Sequence, residues 1–112
     1  MEILSYPVTP FMVNCYVLRD GGEAVVVDPG EATPAVLKAI AGYRVRSIVN
    51  THGHCDHCGG NAAVVASTGA ELLIHKADLP LLEHIEAQGQ MFGVPMEASP
   101  PPTRFLEEGD TI

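Results

Sequence analysis

Eleven consecutive residues, Thr51-His-Gly-His-Cys-Asp-His-Cys-Gly-Gly-Asn61, limit what this chain can fold into more than any other stretch. Three of its five histidines fall there, His52, His54 and His57, with Asp56 among them and Cys55 and Cys58 interleaved. Residues two apart on a helix point roughly 200° from one another, so His52 and His54 could not share a ligand on one. In an extended segment they point the same way. The run therefore chelates only as a loop, and Gly53, Gly59 and Gly60 give its backbone that freedom. Imidazole with carboxylate suits zinc or iron. Asp56 and His57 are adjacent and face differently from the first pair. The pattern reads as two ions, with His52 and His54 on one and Asp56 and His57 on the other. Two such ions lower the pKa of a shared water and make it a hydroxide nucleophile near neutral pH.

A second reading of the run centres on the cysteines. Cys55 and Cys58 have the spacing of a redox Cys-x-x-Cys, which begins a helix after a strand, or of half a structural zinc site. The redox version has to ignore every other ligand type around it. The zinc version needs a second Cys or His pair, and only His75 and His84 are left, nine residues apart. In the plainer alternative the two cysteines are small residues flanking the ligands, one of them packing inward. His75 and His84 then read as a polar strand end and an exposed helical residue.

The rest of the chain says where the run sits. Ile3 to Val8, Val13 to Leu18 and Ala24 to Val27 are rich in β-formers, and Asp20-Gly21-Gly22 marks a tight turn. Thr33-Pro34 reads as a helix start, Val36, Leu37 and Ile40 repeat at helical spacing, and Gly42 can end that helix. Arg46 to Val49 is the next strand, and it runs straight into the histidines. A short helix over Asn61–Ser67, a strand over Glu71–Ile74 and a helix over Ala77–Gln88 follow, with Leu81, Leu82 and Ile85 on one face of the last. The proline-rich stretch from Val94 to Thr103 reads as a loop, and a further strand starts at Arg104. The order βββ-α-β-α-β-α-β implies a sheet with parallel members and helices packed on it. In such sheets ligands sit beyond the carboxyl ends of the strands, where the histidine run lies.

At 112 residues one domain at most is expected, spanning residues 1–112, with no second domain in this chain. Six basic against fourteen acidic residues give a net charge of −8, and the basic ones are scattered. The balance speaks against a nucleic-acid partner. No apolar run approaches the roughly 20 residues of a membrane span. Three cysteines are too few and too odd for a disulfide scaffold, and the first residues lack a signal-peptide pattern, so a cytoplasmic location is expected.

The stretch THGHCDHCGGN resembles the Thr-His-x-His-x-Asp-His-x-Gly-Gly signature of the metallo-β-lactamase superfamily. VNCYVL, VVVDPG and SIVNTHGH are similar to its glyoxalase II-like (hydroxyacylglutathione hydrolase-like) branch, and the resemblance spans nearly the whole chain. It implies an α/β (α+β) fold of the αββα sandwich type, of which this chain would supply the N-terminal half, a mixed sheet with helices on one face. It also implies a two-metal site and hydrolysis of esters, thioesters, lactams or phosphodiesters. By resemblance, His52 and His54 match the ligands of one ion and Asp56 and His57 those of the other. Asp28, in the strand-ending Asp-Pro-Gly, matches an acceptor beneath the metals that orients their ligands. Read without the family, Asp28 simply opens a turn.

The resemblance also places a third histidine, a bridging aspartate and a last histidine beyond Ile112, and LEEGDTI looks like the strand before that third histidine. The expectation is therefore a metal-dependent hydrolase of a thioester or ester, with zinc, two ions per complete site, or iron. A small-molecule substrate is expected, with the site completed by a missing C-terminal half or in a homo-oligomer. In this scheme Asp56 holds the attacking hydroxide, and a helix beginning near Gly59 aims its positive end at the site. Met91-Phe92-Gly93 forms either an apolar lip beside the metals or plain helix-end packing. Two alternatives stand beside it: a mononuclear-iron persulfide dioxygenase of the same superfamily, and a non-catalytic metal-binding module.

Overall fold

A computed structural model describes residues 1–110. Six strands form one mixed sheet in the order in which they occur: β1 (Glu2–Val8), β2 (Val13–Asp20), β3 (Glu23–Val27), β4 (Arg44–Val49), β5 (Glu71–His75) and β6 (Arg104–Leu106). β1, β2 and β3 pair antiparallel, and β3 to β6 run parallel. The β2–β3 hairpin turns on Gly21 and Gly22, both at positive φ (58° and 84°), which the tight two-residue turn requires. β3 to β4 crosses over through α1 (Pro34–Ile40). Thr33 caps this helix as the sequence predicts, its hydroxyl oxygen accepting from Val36 N at 3.2 Å. β4 to β5 crosses through α2 (Cys55–Cys58) and α3 (Asn61–Thr68).

All the helices lie on one face. The cross-strand row Leu4–Val17–Val26–Ile48–Leu72 faces them, and Val36, Ala39, Ile40 and Val64 pack on it to form the main core. A second cluster, Cys55, Cys58, Ile74, Leu82 and Ile85, lies on the same face at the carboxyl end of β5. On the opposite face Ile3 and Tyr16 are exposed and Leu18, Val25 and Val27 are half-buried, whereas Leu73 is fully buried. Among the described residues no helix is long and apolar enough to cross a membrane.

Two expectations about elements change. The apolar spacing predicts one helix over Ala77–Gln88. The chain instead makes a 3-10 turn (Lys76–Asp78), then α4 (Leu79–Leu82), then α5 (Ile85–Phe92), with His84 between them at φ −124° and ψ 33°. Pro80 sits in the first turn of α4, where its missing N–H costs nothing. The carbonyl of Leu81, which an unbroken helix would give to Ile85, accepts instead from His84 N and from the Gln88 side chain, at 3.0 and 2.7 Å. Leu81 is accordingly 36% exposed, while Leu82 and Ile85 are buried. The strand at Arg104 is also shorter than LEEGDTI suggests. It ends at Leu106, and Glu107–Asp110 folds into a turn closed by Glu107 N donating to Asp110 Oδ2 at 2.8 Å. Residues 111 and 112 lie outside the described residues.

Candidate metal centre

The four parallel strands end on one edge of the sheet, and this edge carries the histidine run. Backbone bonds extend the ladder past the strand ends: Asp28 N donates to Val49 O at 2.9 Å and Asn50 N to Leu73 O at 3.0 Å. Asp28 and the first residues after β4 are thereby held side by side. Asp28 takes φ 54°, a conformation Asp tolerates better than most residues. Its buried carboxylate accepts from Thr51 N at 2.7 Å and from Thr51 Oγ1 at 2.5 Å.

His57 stands over this carboxylate, with Nδ1 3.1 Å from Asp28 Oδ2 and Nε2 3.7 Å from Asp56 Oδ2. The Nδ1 contact lies off the line of a hydrogen bond, which leaves that atom buried without an aligned acceptor. The His52 ring lies between the other two imidazoles, its centroid 4.2 Å from that of His57 and 5.5 Å from that of His54. His52 and His54 precede α2, and Asp56 and His57 lie on it. The helix expected near Gly59 is thus two pieces: α2 starts earlier, at Cys55, and α3 starts at Asn61. Gly30 lets the Asp28-Pro29-Gly30 turn lie flush under α2, because a Cβ there would meet Asp56 O at 1.8 Å.

Among the described residues, no three His, Cys, Asp or Glu side chains close on one point as a ligand set would. The donor chemistry nonetheless fits a divalent transition ion. Two donors on one tetrahedral zinc, each at about 2.0–2.1 Å, lie about 3.3–3.4 Å apart, and His57 Nε2 and Asp56 Oδ2 stand at 3.7 Å. The buried carboxylate behind Nδ1 is the partner that metal-bound histidines commonly have.

The cysteines are placed as packing residues. Both are buried, and Cys58 Sγ donates to His52 O at 3.1 Å. Burial pushes the Cys58 thiol well above the usual range, with Asp28 adding to it, and burial and then Asp56 push Cys55 the same way. Neither thiol is set up as a thiolate. His75 caps the 3-10 turn, Nδ1 accepting from Ala77 N at 3.0 Å, and His84 lies at the break between α4 and α5. Phe92 is 62% exposed and packs edge-to-face on Phe11, 5.4 Å between centroids.

Several supporting residues lie outside the Thr-His-x-His-x-Asp-His-x-Gly-Gly signature itself. Asn50 and Asn61, both buried, exchange side-chain hydrogen bonds at 3.1 and 2.7 Å, and Asn61 also donates to Ser99 Oγ at 3.0 Å. They tie the end of β4 to the start of α3 and the proline loop. Their position immediately before and at the end of the histidine run was the available signal. Gln88, on α5, contacts the run directly.

The profile of the metallo-beta-lactamase superfamily matches residues 8–112. A hydroxyacylglutathione hydrolase of Anaeromyxobacter dehalogenans is 50% identical over 64 residues, covering 56% of this chain and 25% of that protein. The hydroxyacylglutathione hydrolase GloC of Haemophilus influenzae is 31% identical over 117 residues, covering 100% of this chain and 55% of that protein. The crystal structure of TTHA1623 in a di-iron-bound form superposes with a TM-score of 0.88 at 30% identity, covering 97% of this chain and 56% of that one. The chain thus spans about half the length of the relatives that it matches from end to end. With the strand order, the helices on one face and the histidine run at the strand ends, these matches identify the chain as a member of the metallo-beta-lactamase superfamily.

Proposed function

We propose that the intact protein is a metal-dependent hydrolase of a thioester or ester, similar in chemistry to the hydroxyacylglutathione hydrolases. The observation that carries this reading is the arrangement of Asp28, His57 and Asp56. One nitrogen of His57 is backed by a buried carboxylate and the other stands beside a second carboxylate, 3.1 and 3.7 Å away. In this reading His52 and His54 hold one ion, and Asp56 and His57 the other. Further protein donors from outside the described residues complete both, because a catalytic zinc usually has three protein ligands. Bound there, zinc or iron supplies a Lewis acid and an activated water.

The chain's own residues do the rest. Asp28, fixed by Thr51, places a negative charge 3.1 Å from His57 Nδ1 and so favours the ring with Nδ1 inward and Nε2 outward. Asp56, with its side chain 25% exposed, accepts a hydrogen bond from the attacking water and aims it at the acyl carbon. Asn50 and Asn61 hold α2 and α3 at the strand ends. The test is to strip the intact protein with a chelator, reload it with zinc or iron, and follow thiol release from an S-hydroxyacylglutathione. Metal-dependent release is expected. Inert metal-loaded protein would defeat the proposal, and oxygen uptake on a persulfide would support the dioxygenase instead.

A further inference from the structure

We infer that Gln88 is a positioning residue for the candidate metal centre: its side-chain amide grips the peptide groups on either side of His54 and so fixes the backbone from which that imidazole projects. The inference rests on the reading of His54 as a metal ligand. Gln88 lies on α5, away from the histidine run in sequence, and makes three hydrogen bonds. Its Oε1 accepts from Cys55 N at 2.8 Å. Its Nε2 donates to Gly53 O at 3.2 Å and to Leu81 O at 2.7 Å. These partners fix which end of the amide is which, since a flipped amide would face two carbonyls with its oxygen.

The carbonyl of Gly53 belongs to the peptide before His54, and the N–H of Cys55 to the peptide after it. Peptides are planar, so two peptides joined at one Cα leave only φ and ψ free. Holding both holds His54 at φ −73° and ψ 147°, extended, immediately before α2. With φ and ψ held, the direction of the His54 Cα–Cβ bond is fixed, and only rotation about χ1 and χ2 is left to aim the ring. The surroundings support a fitted clamp. A Cβ on Gly53 would meet Asp78 O at 2.6 Å and Leu82 N at 2.9 Å, so the loop lies flush on α4 and Gln88 is the polar tie across that seam. The break between α4 and α5 acquires a purpose, because it frees the Leu81 carbonyl that anchors the Gln88 amide.

The test uses the intact protein, stripped of metal and titrated with zinc. Wild type is expected to take up two ions. In Gln88→Met, similar in length but without the hydrogen bonds, one of the two should bind roughly 10- to 100-fold more weakly, as when other ligand-orienting groups are removed. In a His54→Ala background the same substitution should cost no further affinity, which a general loss of stability would not mimic. Thr68→Ala, which removes the hydroxyl that donates to Val64 O at the far end of α3, should lower stability and leave both affinities alone. If Gln88→Met does not fold, Gln88→Glu keeps the acceptor for Cys55 N, loses both donors, and should show the same selective weakening. Unchanged affinity for both ions, or a loss that persists in the His54→Ala background, would overturn the inference and leave the metal centre standing. A wild-type protein that takes up no metal would overturn both.

Discussion

Gly30→Ala would probe how closely the turn after β3 is fitted beneath α2. The added Cβ would lie 1.8 Å from Asp56 O, 2.7 Å from Asp56 C and 3.0 Å from Thr9 Cγ2. Real Cβ atoms essentially never come nearer than 3.0 Å to such atoms, so the backbone at Asp56 or the turn must give by about 1.2 Å. The closest neighbour is helix backbone, which cannot swing aside, and the other is a methyl of the β-branched Thr9, whose χ1 is stiff. Gly30 has no positive φ, so the cost is steric and not conformational. Overpacking of this kind destabilises by about 1–3 kcal/mol. The larger effect falls on chemistry, because a reacting group misplaced by about 1 Å loses about 100-fold in rate. The comparison is Gly69→Ala. Gly69 sits at φ 70° with nothing within 4 Å, so alanine there costs about 1–2 kcal/mol of backbone strain and touches no part of the site. Thermal melts, metal content and kcat/KM on a thioester should show two similarly destabilised variants, of which only Gly30→Ala loses turnover. Normal turnover and metal content in Gly30→Ala would refute the close fit between turn and helix.

Asp56→Asn should keep the fold and lose most hydrolysis, because an amide cannot supply the charge that holds an ion; near-normal thioester turnover with unchanged metal content would remove Asp56 from the centre. The Cys55→Ala, Cys58→Ala double variant should bind metal and hydrolyse substrate, at reduced stability because both side chains are buried; loss of all metal on analysis would restore the cysteine-centred site. Burial, with Asp28 adding to it, pushes the Cys15 thiol from 9.0 up to about 12. Below pH 9 the thiol is neutral whether folded or unfolded and its contribution is fully present; between 9 and 12 the unfolded chain alone loses the proton, so stability falls as pH rises, by up to about 1.4 kcal/mol per pH unit. Denaturant melts at pH 8 and in the alkaline range should show a shallower decline for Cys15→Ala than for wild type, and identical declines would contradict the assignment.

What the sequence disclosed and what it withheld divide along a physical line. The succession of strands and helices along the chain, the Gly21-Gly22 turn and the Thr33 cap were legible because each is written in a local pattern that a few neighbouring residues determine. The density of ligand types between His52 and His57 was legible for the same reason, and so was the position of that run after β4. The break between α4 and α5 was not. Leu81, Leu82 and Ile85 satisfy a helical period whether or not the backbone is continuous, and what breaks it is a side chain taking a backbone acceptor. The shared buried bonds of Asn50 and Asn61 were hidden likewise, since an asparagine beside a glycine-rich turn reads as part of the turn. Gln88 is the clearest instance. Glutamine is an ordinary residue on a helix, and nothing in its neighbours distinguishes one that faces water from one that spans two peptides of another loop. The histidine run names the candidate ligands, but it cannot hold them still, because the glycines that would let it chelate also leave it loose. The rigidity has to come from groups distant in sequence: Asp28 under His57, Gln88 across His54, and the Asn50–Asn61 pair behind α3. A search for ligand motifs finds the first set of residues, and only the folded chain reveals the second.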